Sequence, residues 1–137
     1  MTSERYEQLI AFLSTHLPTP VEQRELADGV LVFTGGSPGE VVARLTRWSV
    51  IIEEFRARRE TPDAPVVHPR RVGIVKWRRL PETEAMNAIG QLIKGARDVR
   101  LARYRTCCVC GERKPPESLD DEYTCRSCAD REPRVVH

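Results

Sequence analysis

The amino-acid sequence predicts an α+β fold: an antiparallel sheet flanked by an N-terminal helix and a long helix, followed by a C-terminal four-cysteine module. Apolar residues recur at helical spacing near the start of the chain and again after Pro81, and runs rich in β-branched residues lie between these two segments. All five cysteines fall between Cys107 and Cys128. The 137 residues have room for one compact domain, residues 1–105, and a small module, residues 106–137.

The composition is that of an ordinary globular chain. Hydrophobic residues make up 40% and charged residues 31%, with a formal net charge of only +2, which excludes a disordered tail. Glu4, Arg5 and Glu7 stand where a signal peptide needs an apolar segment, and no stretch approaches the roughly 20 apolar residues of a membrane span. We therefore expect a cytoplasmic protein without a membrane partner.

The first half of the chain is expected to contain one helix and two short strands. Residues 4–17 carry apolar side chains at helical spacing, Ser3 can cap the helix, and Pro18 ends it. The apolar positions are Tyr6, Leu9, Ile10, Leu13 and Leu17. Between residues 21 and 33 we predict two strands joined around Asp28-Gly29, a favoured tight-turn pair.

Residues 40–59 are compatible with two structures. Ser37-Pro38-Gly39-Glu40 is similar to a helix capping box, and the apolar residues that follow it have a 4-3-4-3 spacing. The same segment is rich in valine and isoleucine and follows Gly35 and Gly36, which favours two strands joined to the preceding one by a hairpin. Strands are the preferred interpretation.

A loop, a last strand and a long helix are predicted next. Three prolines mark residues 60–70 as a surface loop, and residues 71–80 alternate Val72 and Ile74 on one side with Val75 and Trp77 on the other. Pro81 and two acidic residues then open the helix. Its predicted apolar face consists of Ala85, Met86, Ile89, Leu92, Ile93, Ala96 and Val99.

Two arginines follow at the end of this apolar face. Beyond Val99, the positions that continue the stripe are Arg100 and Arg103. In one interpretation both guanidinium groups lie over carboxylates of the sheet, for instance Glu53 or Glu54. In the other they form an exposed cationic ridge between the domain and the cysteines.

The cysteines form two C-x-x-C pairs, Cys107 with Cys110 and Cys125 with Cys128, separated by 14 residues. This spacing indicates a tetrahedral Zn²⁺ site, because a tight turn aims both thiolates of a pair at one ion and two such turns complete the coordination. A redox-active dithiol pair and an iron cluster are the competing interpretations. Cys108 is expected to pack as a small hydrophobe, and a register in which it replaces Cys107 stays open.

The two cysteine knuckles resemble those of zinc-ribbon domains, and Cys107-x-x-Cys110-Gly111 carries the best match. A treble-clef finger needs a helix at the second knuckle, and only nine residues follow Cys128, so we expect a ribbon without that helix. The resemblance covers about residues 107–129 and extends to small bacterial proteins that end in such a ribbon. It implies a structural metal and is compatible with nucleic-acid binding, protein docking or stapling alone.

Basic residues are concentrated in one segment. Residues 70–105 contain 10 basic and 3 acidic groups, whereas the segments on either side are acidic overall. Such a basic stripe beside a zinc ribbon could neutralise phosphates, which slightly favours nucleic acid as the partner. The candidate phosphate contacts are Arg78, Arg79, Arg97, Arg100, Arg103 and Arg105.

No catalytic constellation is recognisable. The three histidines are scattered, and Gly35-Gly36-Ser37-Pro38-Gly39 lacks the lysine of a phosphate loop. We therefore predict a protein that acts by binding and not by catalysis. The alternative to nucleic acid is a protein partner, with the chain acting as an inhibitor, adaptor or immunity-type protein; exposure of Trp48 or Trp77 in an apolar patch would favour it, and a homodimer is left open.

Overall fold

A five-stranded antiparallel sheet with two helices on one face forms the larger part of the protein. The computed structural model describes residues 4–59, 65–121 and 123–131, with the backbone alone for residues 130 and 131. The predicted cap Ser3 and residues 60–64 of the predicted loop lie outside these ranges. The α+β fold class predicted from the sequence is confirmed.

The sheet is built from consecutive hairpins. In chain order its strands are β1 (Val21–Glu25), β2 (Leu31–Gly35), β3 (Val41–Leu45), β4 (Val50–Glu54) and, after a small separate hairpin, β7 (Arg70–Val75). The Asp28-Gly29 turn forms as predicted: Gly29 has a φ of 88°, and the Asp28 carboxylate accepts a hydrogen bond from the Val30 N–H.

Residues 41–54 form strands, which settles the ambiguity of that segment. Leu45 lies opposite Val50 and Val41 opposite Glu54, so the β-branched residues alternate between the two faces of the sheet. Gly39 is required at the preceding turn, because a Cβ there would lie 2.5 Å from the Phe55 ring. The helical spacing of the apolar residues was misleading because residues buried in the sheet also recur at intervals of two.

The predicted loop 60–70 and last strand 71–80 both need correction. Val66–Val67 (β6) pairs with Ala57–Arg58 (β5) in a small two-stranded sheet, so part of the predicted loop is a strand. β7 ends at Val75, and Trp77–Arg79 forms a 3-10 turn. This turn brings the Trp77 indole into the core, where its N–H donates to the Thr46 carbonyl, a tertiary contact that local alternation does not predict.

Two helices cover the inner face of the sheet. α1 (Glu4–His16) buries Leu9 and Leu13 against it, as expected from the spacing. α2 (Glu82–Ala102) buries Ala85, Ile89, Ile93, Ala96 and Arg100. The prediction for Val99 was wrong, because its side chain is 45% exposed and Arg100 takes the buried position instead. In the described residues, neither helix nor any other is long and apolar enough to cross a membrane.

Candidate metal centre

The first cysteine knuckle lies in a tight hairpin directly after α2. β8 (Arg105–Thr106) pairs with β9 (Arg113–Lys114), and the connecting turn carries Cys107 and Cys110. The Gly111 N–H donates to the Cys107 carbonyl over 2.9 Å, and Gly111 adopts a φ of 74°. Glycine suits this position, since that backbone conformation disfavours a side chain.

The second knuckle begins a short helix. Cys125 forms an isolated bridge with Leu119, and α3 (Arg126–Arg131) starts at the next residue. The expectation of a ribbon without a helix at this knuckle was wrong. The turn that leads into Cys125 is held by Asp121, whose carboxylate accepts hydrogen bonds from the Tyr123 and Thr124 N–H groups. This local turn interaction takes the place of longer secondary structure in this segment.

Four thiols converge between the two knuckles. The Sγ atoms of Cys107, Cys110, Cys125 and Cys128 all lie within 4.8 Å of one another, and those of Cys110 and Cys125 are 3.9 Å apart. Metal–sulfur bonds of about 2.3 Å at tetrahedral angles require sulfur–sulfur separations of about 3.8 Å. The four residues are therefore arranged to bind a metal ion.

Backbone groups favour the thiolate form of Cys107. The N–H groups of Val109 and Cys125 each lie 3.4 Å from its Sγ atom. Backbone hydrogen bonds, the largest from Cys125 and the next from Cys110 and Val109, lower the pKa of the Cys107 thiol from 9.0 to about 6. A metal ion competes with protons for thiols, so this lowered pKa favours metal binding at neutral pH.

Cys108 has no place in the cluster. Its side chain is exposed, and its Sγ atom lies 3.7 Å from the Thr124 hydroxyl. The expectation that it packs as a small hydrophobe was wrong, because Cys108 is exposed in the turn and the neighbouring Cys107 is buried.

A buried ion pair joins the cysteine module to the α+β domain. Arg100 on α2 is 2% exposed and makes a bidentate contact with the Glu117 carboxylate, and its Nε donates to the Gly39 carbonyl. The same guanidinium lies 5.0 Å from the Phe55 ring centroid and 5.2 Å from that of Tyr104. The exposed ridge considered for Arg100 is therefore wrong.

Sequence reasoning missed Glu117, which was counted only as one of several acidic residues of the module. It lies in a 3-10 turn, Pro116–Ser118, between the two knuckles. Its backbone carbonyl also accepts a hydrogen bond from Arg59. The one signal in the sequence was the arginine at a position of α2 where the apolar stripe required a buried residue.

The other cations of α2 also face carboxylates. Arg103 donates to the buried Glu54 over 2.8 Å, as one of the two interpretations predicted. Arg97 pairs with Glu40 at 2.9 Å, and the exposed Lys94 pairs with Asp98 at 3.2 Å. Much of the positive charge predicted along this helix is thus offset within the protein.

The cations of β7 and its following turn differ from those of α2. Within the described part of the chain, Arg70, Arg71, Lys76 and Arg79 have no carboxylate within 4.0 Å. Arg78 donates to the Arg47 carbonyl, and its guanidinium lies 4.8 Å from the ring centroid of Trp48, which is 66% exposed. The last candidate, Arg105, is exposed and donates to the carbonyls of Ala102 and Tyr104.

Comparisons with protein-family models, with curated proteins and with solved structures find no match for this chain.

Proposed function

We propose that the protein is a non-catalytic nucleic-acid-binding module whose C-terminal segment is held in shape by a structural Zn²⁺. The zinc assignment rests on the four cysteine sulfurs, which all lie within 4.8 Å of one another. Four thiolates fill the coordination of the ion and leave no position for water or substrate, which argues for a structural and against a catalytic role. When bound, the ion pins the two knuckles together.

The observation that carries the nucleic-acid assignment is the row of cations on β7 and in the turn that follows this strand. This strand forms one edge of the five-stranded sheet. The row, called here the β7 cation row, consists of Arg70, Arg71, Lys76, Arg78 and Arg79. Exposed cations without internal carboxylate partners can neutralise phosphates and release counterions. By contrast, the paired cations of α2 would have to break intramolecular ion pairs to do so.

An exposed aromatic ring at the end of the row adds to the argument. Trp48 stands at the tip of the turn between β3 and β4, beside Arg78. Aromatic side chains among cations are the elements on which unpaired bases stack. Charged residues on a sheet edge also disfavour aggregation through that edge, so the role of the charge on β7 has to be tested by binding.

The test is the salt dependence of binding to a fluorescein-labelled oligonucleotide, single-stranded and duplex, measured by anisotropy. We expect binding at low ionic strength that falls steeply with salt. The double variant Lys76→Ala/Arg79→Ala should reduce the slope of log K against log salt by about 1.4 to 1.8, since each lost phosphate contact removes about 0.7 to 0.9. Arg24→Ala/Lys94→Ala removes two exposed cations elsewhere and should leave the slope unchanged.

A protein partner is the second candidate. Val72 and Ile74 are 40% and 45% exposed on the outer face of β7, close to its unpaired edge. An extended segment of another protein could add to that edge and cover both side chains. Absence of oligonucleotide binding at low salt would contradict the nucleic-acid proposal and leave this candidate.

A further inference from the structure

A groove of about 800 Å³ lies where the cysteine module meets the α+β domain. Its walls are the small β5–β6 hairpin, the last turns of α2 and the 3-10 turn that carries Glu117. Sites for small ligands typically have volumes of about 300 to 1,000 Å³. The groove thus has the size of a ligand site, and it lies apart from the outer face of β7.

The charge of the groove is strongly positive. Six arginines line it, whereas Glu117 is the one acidic residue among its described lining residues. The Glu117 carboxylate is engaged by Arg100, and the buried Glu54 beneath Arg103 offsets a second arginine. The groove therefore offers charge-assisted donors to an anion with more than one negative charge.

Two of these arginines are available for a ligand. Arg58 is exposed and has no hydrogen-bond or ion-pair partner among the described residues, and Arg105 donates only to main-chain carbonyls of its own neighbourhood. His68 lies exposed on the same side, after β6. Guanidinium groups are planar donors that bind phosphate oxygens in pairs.

Part of the groove is apolar. Val99 is 45% exposed and faces it together with Ala57, Ala102 and Leu119. The packing of the core does not account for an exposed valine on α2, because Arg100 takes the buried position there. A ligand that combines phosphates with a flat, weakly polar ring would contact both the cationic and the apolar parts of this surface.

We propose that this groove is a nucleotide site, in which Arg58 and Arg105 bind phosphate oxygens and Val99 contacts the base. Either a free nucleoside polyphosphate or the phosphorylated end of a nucleic acid presents this chemistry. The cysteine module supplies one wall, so occupancy depends on the metal centre. The site is separate from the β7 cation row, so an experiment can contradict either proposal without contradicting the other.

Calorimetry with adenosine triphosphate, tripolyphosphate and adenosine tests the site on the zinc-loaded protein. We expect adenosine triphosphate to bind most tightly and adenosine most weakly. Arg58→Ala/Arg105→Ala should weaken adenosine triphosphate binding by about tenfold or more. Val99→Ser should weaken it while leaving tripolyphosphate binding unchanged, because the serine retains the small size of the residue but removes the apolar contact.

Controls separate this site from the proposed β7 surface. Lys76→Ala/Arg79→Ala and Arg24→Ala/Lys94→Ala should not change adenosine triphosphate affinity. A short oligonucleotide that competes only when it bears a terminal phosphate would identify the nucleic-acid end as a source, whereas no competition would identify the free nucleotide. Equal binding by wild type and Arg58→Ala/Arg105→Ala, or no binding of adenosine triphosphate, would overturn the proposal without affecting the β7 test.

Discussion

The α+β domain and the cysteine module are stabilised by different means. In the domain, large apolar side chains such as Phe33, Leu45 and Ile52 are fully buried between the sheet and two helices. In the module, the buried cluster consists of three cysteines with Leu119 packed against them. A cluster of this size supplies little hydrophobic free energy, so we expect the module to depend on a metal bound by its four cysteines and on its contact with Arg100.

Metal removal should produce the largest difference between the two regions. We expect a chelator to unfold residues 105–131, because apparent binding free energies of structural zinc are about 10 to 16 kcal/mol in small domains. Hydrogen exchange should show lost protection in the β8–β9 hairpin and retained protection in β2, β3 and β4. Cys128→Ser should reproduce this pattern, and full protection of the module without metal would contradict it.

The second-largest effect is expected at the junction between the α+β domain and the cysteine module. Arg100→Ala should destabilise the protein by about 3 to 5 kcal/mol, because it leaves the Glu117 carboxylate buried without its partner. Urea unfolding measures the loss. The double variant Arg100→Leu/Glu117→Leu removes both charges and should be less destabilising than Arg100→Ala; an equal loss would show that packing and not charge pairing holds the junction.

A small change in the core of the α+β domain tests whether the domain and the module are stabilised independently. Ile52→Val removes one methylene group from a fully buried site and should cost about 0.5 to 1.5 kcal/mol of unfolding free energy. Zinc affinity, measured by competition with a chromogenic chelator, should remain unchanged. A parallel loss of zinc affinity would mean that the module and the domain unfold as one unit.

The smallest effect is expected at the surface of α2. Lys94→Ala removes an exposed pair with Asp98 and should change stability by no more than about 0.5 kcal/mol. Thermal unfolding of Lys94→Ala, compared with that of Arg100→Ala, measures the change in stability. A loss comparable to that of Arg100→Ala would contradict the distinction between buried and exposed pairs on the same helix.

Local patterns predicted a large part of the fold. The spacing of Leu9 and Leu13 and the Asp28-Gly29 turn each concern neighbouring residues, and each formed as expected, whereas the predicted alternation of residues 71–80 holds only as far as Val75. The four cysteines could also be identified, because thiol pairs two residues apart have few other uses in combination. The strand interpretation of residues 41–54 was correct as the preferred alternative.

Long-range electrostatics escaped sequence reasoning. A cation on α2 can be neutralised by a carboxylate 17 residues later, as Arg100 is by Glu117, or by one in the sheet, as Arg103 is by Glu54. The helix after Cys125 was also missed, because it depends on the second knuckle being held by the first. Val99 is exposed because Arg100 takes the buried position next to it on α2.

Sequence alone determined α1, α2, the hairpin strands β1 to β4 and the four clustered cysteines, since periodicity, turn chemistry and thiol spacing act over a few residues. Tertiary structure decided which charges remain available. Pairing of the α2 cations left two groups of exposed cations without a carboxylate partner among the described residues: Arg70, Arg71, Lys76 and Arg79 along β7 and its following turn, and Arg58 and Arg105 at the groove. That outcome depends on distances between segments far apart in the chain, which a one-dimensional pattern does not contain.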